Sequence, residues 1–362
     1  MKAAVFHGAG RPVAIEDVRV RDPEPGEVRV TIKAAGLCHS DLSVIDGSIP
    51  YPTPVVLGHE GAGIVEAIGG GVRGVKEGDA VVLSTLAHCG RCTACEVGRP
   101  TECRNAPNPK ETLPFTVGGK PAYQFANASA FVERTVVREQ CAIPIDTRVP
   151  FDRAALIGCG IMTGVGAVLN RARVETGASM AVFGLGGIGL SCVQGGVLAG
   201  AARIIAVDVV PAKLELARQL GATHTIDASK EDPVAAIRDL TRGGADYTFE
   251  AVGNLNVIRQ ALEALGAGGT LTIVGVPKLG SKLDFVVHAL YQNKAILGCR
   301  YGTARPRRDF PMLADLYLGG RLKIDELITR RYALDEFPAA IDDLTRGSLA
   351  RGVFSLEGGA HG

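Results

Sequence analysis

The pattern of hydrophobic and polar positions changes character at about residue 161. Before that point, apolar residues form short runs broken by Gly and Pro, and Val28, Val30 and Ile32 alternate with polar neighbours. Such alternation is typical of strands that bury one face. Residues 64–68 and 80–83 form two further short apolar runs. The first part of the chain is therefore predicted to be an antiparallel, barrel-like domain with long loops.

The second part of the chain alternates short strands with helical patterns. Four buried strands are predicted, at 180–183, 204–207, 247–251 and 270–274. Helical patterns separate them, as over 212–220. This alternation indicates a parallel sheet covered by helices on both faces. After residue 298 the pattern is mixed again, with no further strand–helix unit.

The length of the chain, 362 residues, is long for one hydrophobic core. The hydrophobic fraction of 46% is enough to fill two. We expect a first domain over residues 1–160, a second over 161–298, and a return to the first domain over 299–362.

The charge is nearly balanced, with 39 Lys and Arg against 38 Asp and Glu. This balance provides no basic surface for nucleic acid, and no run of about 18 apolar residues predicts a membrane span. No apolar export signal follows Met1, so the nine cysteines are expected to stay reduced in the cytoplasm. We expect small-molecule partners, and neither nucleic acid nor a membrane.

Four of the cysteines lie in one short segment with the spacing C-x2-C-x2-C-x7-C: Cys89, Cys92, Cys95 and Cys103. Four thiolates this close together can surround one tetrahedral zinc and leave no ligand position open. The alternative is a pair of disulfides, which does not suit a long chain without an export signal. We predict a structural zinc here and expect the chemistry elsewhere.

A glycine motif of the form G-x-G-x-x-G lies at Gly184, Gly186 and Gly189, with Gly187 between them. It follows a predicted strand and opens a predicted helix. In such a motif the first glycine allows the tight turn, the second lets the pyrophosphate approach the backbone, and the third lets helix and strand pack closely. The free N–H groups of the helix N-terminus favour phosphate. This context predicts a dinucleotide site.

An acidic residue, Asp208, stands at the end of the next predicted strand. Its carboxylate can accept hydrogen bonds from ribose hydroxyls and would repel a 2′-phosphate. Val209 and Val210 offer no cation to offset that repulsion. We therefore predict NAD rather than NADP, although the nearby Lys213 weakens the preference.

Three other residues are candidates for a second metal: Cys38, His59 and Cys159. None has a close partner in sequence. A lone Cys or His is more often a buried core residue, so spacing alone leaves both interpretations open.

Taken together, these motifs resemble the zinc-dependent medium-chain alcohol dehydrogenases over essentially the whole chain. The match rests on five features: Cys38 with Ser40 and Asp41, Gly58-His59-Glu60, the cysteine quartet, Gly158-Cys159-Gly160, and the glycine motif with Asp208. The resemblance implies an α/β protein with a mostly β, GroES-like catalytic domain and a Rossmann domain with a doubly wound parallel sheet. It also implies two zinc ions per chain, NAD, and a homodimer or homotetramer.

The resemblance further implies a catalytic zinc held by Cys38, His59 and Cys159, with water or substrate as the fourth ligand, the ligand set known for alcohol dehydrogenases. Zinc lowers the pKa of bound water from about 15.7 to about 7. The same effect would let an alcohol lose its proton near neutral pH and then give a hydride to NAD.

The proton path implied by the resemblance begins at Ser40. The family continues it to a histidine five residues after the first cysteine ligand, where this chain has Ser43. A serine cannot be the terminal base, so the exit runs through water or His39. Alternatively, His39 contacts the cofactor phosphate or is simply exposed.

Other residues acquire roles from the same resemblance. Asp41 and Glu60 correspond to acids that orient the His59 ligand or stay close to the metal. Thr163 corresponds to a residue that packs on the nicotinamide. Arg351 corresponds to an arginine that reaches the pyrophosphate, although a surface role suits it equally well.

The resulting hypothesis is a zinc-dependent oxidoreductase that transfers hydride between a primary alcohol or aldehyde and NAD. Residues 158–166 and Gly118-Gly-Lys120 most resemble the formaldehyde-oxidising, class III-like branch and its bacterial relatives. One alternative is therefore a thiol-adduct (S-hydroxymethyl) formaldehyde dehydrogenase, and another is a nicotinoprotein that retains NAD. From a different class, a non-enzymatic zinc- or NAD-binding sensor predicts one zinc per chain and no hydride transfer.

Overall fold

The computed structural model describes residues 1–347 and 349–356. It divides into two compact units. The first comprises Met1–Cys159 together with the chain from Arg305 onward, and the second comprises Gly160–Ala304.

The strands of the described chain, numbered β1 to β18, are Lys2–Phe6, Ala14–Val20, Glu27–Leu37, Val55–Val56, Glu60–Ile68, Ala80–Leu83, Phe115–Val117, Lys120–Gln124, Arg134–Arg138, Ala142–Pro144, Ser179–Phe183, Arg203–Asp208, His224–Asp227, Ala245–Glu250, Leu265–Ile273, Ala295–Gly298, Ile328–Ala333 and Arg351–Ser355. The α-helices, numbered α1 to α10, are His39–Ile45, Thr93–Glu96, Phe151–Leu156, Met162–Gly166, Gly187–Ala199, Pro211–Gln219, Pro233–Thr241, Leu255–Glu263, Pro306–Leu318 and Phe337–Thr345.

The first unit consists of a closed barrel, in the order β1-β2-β7-β8-β4, and a sheet in the order β10-β6-β5-β3-β18-β17, with β9 also paired to β3. The alternation at Val28, Val30 and Ile32 belongs to β3, where all three side chains are buried. β18 pairs with β3, so the end of the described chain completes the sheet begun near its start.

The antiparallel pairing predicted for the first part of the chain was wrong at one strand pair, because β4 pairs with β8 in parallel. In the later part of the chain, β17 also pairs with β18 in parallel. Parallel neighbours need a crossover connection, and α10 lies between β17 and β18 in the chain and supplies one. Its Phe337 packs against Phe354 of β18, with ring centroids 5.6 Å apart. The expectation of no further strand–helix unit after residue 298 was therefore wrong, because β17, α10 and β18 form one.

The second unit is a six-stranded parallel sheet in the order β13-β12-β11-β14-β15-β16. The predicted strands and the helix at 212–220 are confirmed, the latter as α6. The chain builds outward from β11 in one direction, then returns to β14 and builds in the other. Parallel strands that are buried on both faces read as continuous apolar runs, as β11 does. The point of reversal between β11 and β14 is where such sheets bind ligands.

One helical stretch, Phe151–Ala172, is long and apolar enough to cross a membrane, but 78% of its apolar window is buried within the protein. That burial is typical of a core helix. The stretch contains two π-helical segments, Ile157–Ile161 and Ala167–Ala172.

Candidate metal and cofactor sites

The cysteine quartet forms a compact cluster whose four sulfur atoms lie within 4.8 Å of one another. Cys92 Sγ lies 3.6 Å from Cys95 Sγ and 3.8 Å from Cys103 Sγ. A tetrahedral zinc with Zn–S bonds of about 2.3 Å places its sulfur ligands about 3.8 Å apart. The cysteines are free thiols, so the arrangement fits a metal and not disulfides.

Backbone N–H groups point at these sulfur atoms. Hydrogen bonds from Cys95 and Arg104 lower the pKa of Cys92 to about 6, whereas burial and the neighbouring Cys92 thiol raise that of Cys95 to about 12. Four thiols this close share protons, because like charges repel. A divalent cation removes that conflict, so the donor set fits a zinc ion.

A second cluster brings together Cys38, His59, Cys159 and Glu60, whose donor atoms also lie within 4.8 Å of one another. The pairing of β3 with β5 explains the proximity of the first two. Gly36 faces Glu60 in that register, so Cys38, just after β3, lies near His59, just before β5. The first cluster offers four thiolates; the second offers two thiolates and an imidazole, with a carboxylate beside them.

Cys159 reaches this cluster from the π-helical segment Ile157–Ile161. The preceding Gly158 lies against β6, and a Cβ there would be 2.6 Å from the Leu83 carbonyl oxygen. Only glycine permits so close an approach. Short π segments often occur at functional sites because they displace a side chain from the regular helical position.

Asp41 connects two members of the cluster. Its Oδ1 lies 3.2 Å from Nδ1 of His59, and its Oδ2 accepts the Cys38 backbone N–H at 3.1 Å. A carboxylate at Nδ1 favours the tautomer in which Nε2 keeps its lone pair for a metal. Although burial alone would lower the pKa of His59, the negative charges of Asp41 and Cys38 raise it well above its usual value.

The two thiols of this cluster share a proton. A hydrogen bond from Cys159 holds the pKa of Cys38 well below its usual value, and the same contact with burial raises that of Cys159. The sulfur atoms that bind these protons are the atoms that would bind a zinc ion. The buried donor set therefore fits zinc.

Glu60 forms a buried ion pair with Arg351 at the start of β18. A Cβ at Gly36 would overlap the Glu60 carboxylate, so glycine at that position makes the pair possible. Burial raises the pKa of Glu60 to about 7, against the lowering effect of Arg351. The predicted contact of Arg351 with a pyrophosphate stays a prediction.

The residues predicted for the proton path lie on α1. Ser40 is half-buried, with Oγ 3.9 Å from Cys38 Sγ, and His39 is exposed. The Ser43 hydroxyl donates to the His39 carbonyl oxygen at 3.1 Å. Ser40 is therefore the hydroxyl beside the cluster, whereas Ser43 is occupied by the helix backbone.

Two aromatic side chains, Phe125 and Tyr51, lie beside the cluster. The ring of Phe125 lies edge-on to His59 at 5.4 Å and to Tyr51 at 5.1 Å. Sequence reasoning did not single out Tyr51, Gly36 or the close approach of Gly158, because each role depends on contacts between residues far apart in sequence.

The glycine motif lies between β11 and α5 in the second unit. Gly184 has φ of +88°, and a Cβ at Gly189 would overlap the Gly184 carbonyl. Apart from its chain neighbours, no atom of the described residues lies within 4 Å of the position of a Cβ at Gly186. Gly186 is the N-cap of α5, and Gly187 follows it. The turn therefore leaves open space at a helix N-terminus, as a bound pyrophosphate requires.

Asp208 closes this turn from the end of β12. Its carboxylate accepts the N–H groups of Leu185 at 2.7 Å, Val209 at 2.8 Å and Val210 at 3.0 Å. Lys213 is half-buried in the first turn of α6, and Thr163 is buried on α4. The contacts that were predicted between these two residues and the cofactor stay predictions.

The first unit has a GroES-like barrel, and the second has a doubly wound parallel sheet with a dinucleotide turn. Together with clusters that are able to bind zinc, these features define an oxidoreductase of the zinc-binding dehydrogenase class. Comparison with known proteins agrees. Residues 24–147 match the alcohol dehydrogenase GroES-like domain, and residues 187–318 match the zinc-binding dehydrogenase family.

Three relatives illustrate the similarity. The chain is 38% identical to alcohol dehydrogenase class-3 of Oryza sativa subsp. japonica, over 98% of this chain and 97% of that one. It is 39% identical to an NDMA-dependent alcohol dehydrogenase of Amycolatopsis methanolica, over 97% and 98%. The crystal structure of benzyl alcohol dehydrogenase from Acinetobacter calcoaceticus matches with a TM-score of 0.93 and 37% identity, covering 98% of each chain. The chain belongs to the zinc-dependent medium-chain alcohol dehydrogenase family, which confirms the resemblance seen in its motifs.

Proposed function

We propose that this enzyme transfers hydride between a primary alcohol or aldehyde and NAD, with two zinc ions per chain. The observation that carries the proposal is the contrast between two clusters. One has four thiolates and is closed. The other has three zinc donors, at Cys38, His59 and Cys159, with the Glu60 carboxylate beside them. Three protein ligands on a zinc ion would leave a fourth position for a substrate oxygen.

The residues of the open cluster have distinct tasks. A zinc ion held there supplies Lewis-acid polarisation of the substrate oxygen. Asp41 orients His59 and the Cys38 backbone. Glu60 provides a buried negative charge paired with Arg351. Ser40 accepts the proton of the alcohol, and the proton leaves through water or the exposed His39.

The cofactor preference follows from the second unit. Gly186 and Gly187 present free N–H groups to the pyrophosphate, and Asp208 presents its carboxylate to the ribose hydroxyls. Lys213, on the first turn of α6, is a cation close to Asp208 in sequence and weakens the preference for NAD. Thr163 packs on the nicotinamide, and Arg351 completes the pyrophosphate contacts. The feature that supports NAD over NADP is the Asp208 carboxylate, because it would repel a 2′-phosphate.

Ser40 and Ser43 provide a matched test of this assignment. With NAD and a panel of primary alcohols, the wild-type protein should form NADH. Ser40→Ala should lower kcat by about 100-fold or more, the usual contribution of a positioned proton acceptor, and Ser43→Ala should stay near wild type. No oxidation of any primary alcohol, either with added NAD or with an external hydride acceptor, or equal losses in both variants, would contradict the proposal.

Two more specific functions are suggested by the named relatives. A relative of Photobacterium damsela subsp. piscicida, 39% identical over 97% of this chain, is named S-(hydroxymethyl)glutathione dehydrogenase, and its name favours the oxidation of a formaldehyde–thiol adduct. The relative of Amycolatopsis methanolica is named for its dependence on an added compound, which suits an NAD that stays bound and is recycled in place. Formaldehyde oxidation measured with and without glutathione tests the first. Release of NAD(H) from the purified, denatured protein tests the second.

We also propose a cytoplasmic homodimer. Apolar side chains that are 72–87% exposed follow β15: Val276, Leu279, Val286, Val287 and Tyr291. β16 is an edge strand of the sheet, and exposed edges with apolar neighbours are normally covered. Light scattering should give twice the chain mass, and Leu279→Asp with Val287→Asp should give the monomer. A monomeric wild type would contradict this part.

A further inference from the structure

Glu250 is a buried carboxylate that the roles above do not use. It ends β14 at the carboxyl edge of the parallel sheet, paired with Phe183 of β11 on one side and Ile273 of β15 on the other. Its side chain is fully buried. Burying a carboxylate costs stability unless its hydrogen bonds are replaced, so its bonding partners indicate what it does.

Among the described residues, the carboxylate of Glu250 accepts hydrogen bonds from one turn. Oε1 accepts the N–H groups of Val252 at 2.8 Å, Gly253 at 2.7 Å and Asn254 at 3.4 Å. Oε2 is buried and has no hydrogen-bond partner within the part of the chain that the structure describes. Burial raises the pKa of Glu250, and these three N–H groups oppose the rise. The carboxylate therefore holds the turn at residues 251–254, which leads into α8.

This turn, which we call the 251–254 turn, touches the glycine motif. A Cβ at Gly184 would overlap the side chain of Val252. On the other side, a Cβ at Gly253 would lie 2.6 Å from the Val276 carbonyl oxygen, and one at Gly275 would overlap the Gly253 nitrogen. The 251–254 turn is thus wedged between the first glycine of the motif and the segment that follows β15.

The strand order places both turns at the same crevice. β11 and β14 are neighbours at the point where the sheet reverses its order, and ligands of such sheets bind beyond the carboxyl ends of those strands. The glycine motif follows β11, and the 251–254 turn follows β14. Val252, about half exposed, presents an apolar side chain beside Gly184.

We propose that Glu250 is a positioning residue for the dinucleotide, because it holds the 251–254 turn in the shape that forms the second wall of the cofactor site. The inference rests on the proposed use of NAD. Without the carboxylate, three N–H groups lose their acceptor, and Val252 is no longer held against Gly184. The cost falls on cofactor affinity more than on the fold.

Asp246 provides a matched control on the same strand. Its Oδ2 accepts the backbone N–H of Ser179 at 2.8 Å and the Ser179 hydroxyl at 2.7 Å. Asp246 therefore accepts a backbone hydrogen bond through its carboxylate, as Glu250 does. It lies at the amino end of β14, about 13 Å from Glu250 at roughly 3.3 Å per residue, away from the edge where the cofactor binds.

The test measures NADH affinity by fluorescence titration of the whole protein, freed of nucleotide, together with zinc content and Tm. Glu250→Ala should raise the Kd about tenfold. Glu250→Asp keeps the negative charge but has a shorter side chain, so it should also raise the Kd about tenfold. This variant therefore serves as the test if Glu250→Ala does not fold. Glu250→Gln keeps an acceptor oxygen and should stay within about threefold of wild type. Asp246→Ala should lower Tm and leave the Kd unchanged.

Three results would overturn the inference. The first is an unchanged Kd in both Glu250→Ala and Glu250→Asp. The second is an equal loss of affinity in Asp246→Ala, which would tie the effect to stability. The third is a loss in Glu250→Gln as large as in the alanine variant, which would assign the role to charge. A wild-type protein that binds no NADH overturns the proposed function as well, so the two failures are distinguishable.

Discussion

At the scale of single residues, the open cluster depends on side chains that are not themselves ligands. Asp41 binds both the His59 ring and the backbone of Cys38, so one buried carboxylate aligns two of the three proposed ligands. Groups in this position commonly change metal affinity by about 10- to 100-fold.

Asp41→Ala should therefore weaken the second zinc by about 10- to 100-fold in a chelator competition, and should leave the zinc of the cysteine quartet in place. Asp46→Ala is the matched control, since Asp46 caps the other end of α1 and, among the described residues, its side chain accepts only the Ser48 N–H. Equal zinc affinity in the two variants would contradict the role of Asp41.

Asp208 carries the cofactor preference by its charge. Asp208→Asn keeps an acceptor for the local N–H groups and removes the repulsion toward a 2′-phosphate. The ratio of kcat/KM for NAD over that for NADP should fall by at least about tenfold, or 1.4 kcal/mol. Asp227→Asn, at the facing position of β13, should leave the ratio unchanged. Equal ratios in wild type and Asp208→Asn would assign the preference to other groups.

At the scale of elements, strands with a regular hydrophobic pattern could be predicted from the sequence, whereas the crossover connections between strands could not. Alternation identified β3, and apolar runs identified β11 and β12, because burial on one or two faces leaves a direct mark on the sequence. β4 has two residues, too few for any period. The parallel pairing of β17 with β18 depends on where α10 returns the chain, which no local pattern encodes.

The π-helical segment before α4 sets the position of Cys159. Gly158→Ala places a methyl group 2.6 Å from the Leu83 carbonyl oxygen, so the segment must move away from β6. We expect loss of the second zinc, while the zinc of the quartet remains. Gly70→Ala is the control, because a Cβ there meets no atom within 4 Å. Retention of both zinc ions in Gly158→Ala would show that the close approach does not position Cys159.

At the scale of the whole molecule, the closed metal cluster could be predicted from spacing, but the open one could not. Cys38, His59 and Cys159 are far apart in sequence, and their proximity depends on the β3–β5 register and on the close packing at Gly158. The resemblance to a family supplied what spacing could not. Neither residue spacing nor the family resemblance pointed to Glu250, because a glutamate at the end of a strand has no distinctive local pattern.

We expect one chain to hold two zinc ions with different tasks. The most direct test is zinc content per chain after dialysis, measured together with NADH formation, in wild type, Cys38→Ala and Cys141→Ala. Cys141 is a buried thiol outside both clusters. Wild type and Cys141→Ala should each hold two zinc ions and be active, whereas Cys38→Ala should hold one zinc ion and be inactive. One zinc ion in wild type, or a zinc count that Cys38→Ala does not change, would contradict it.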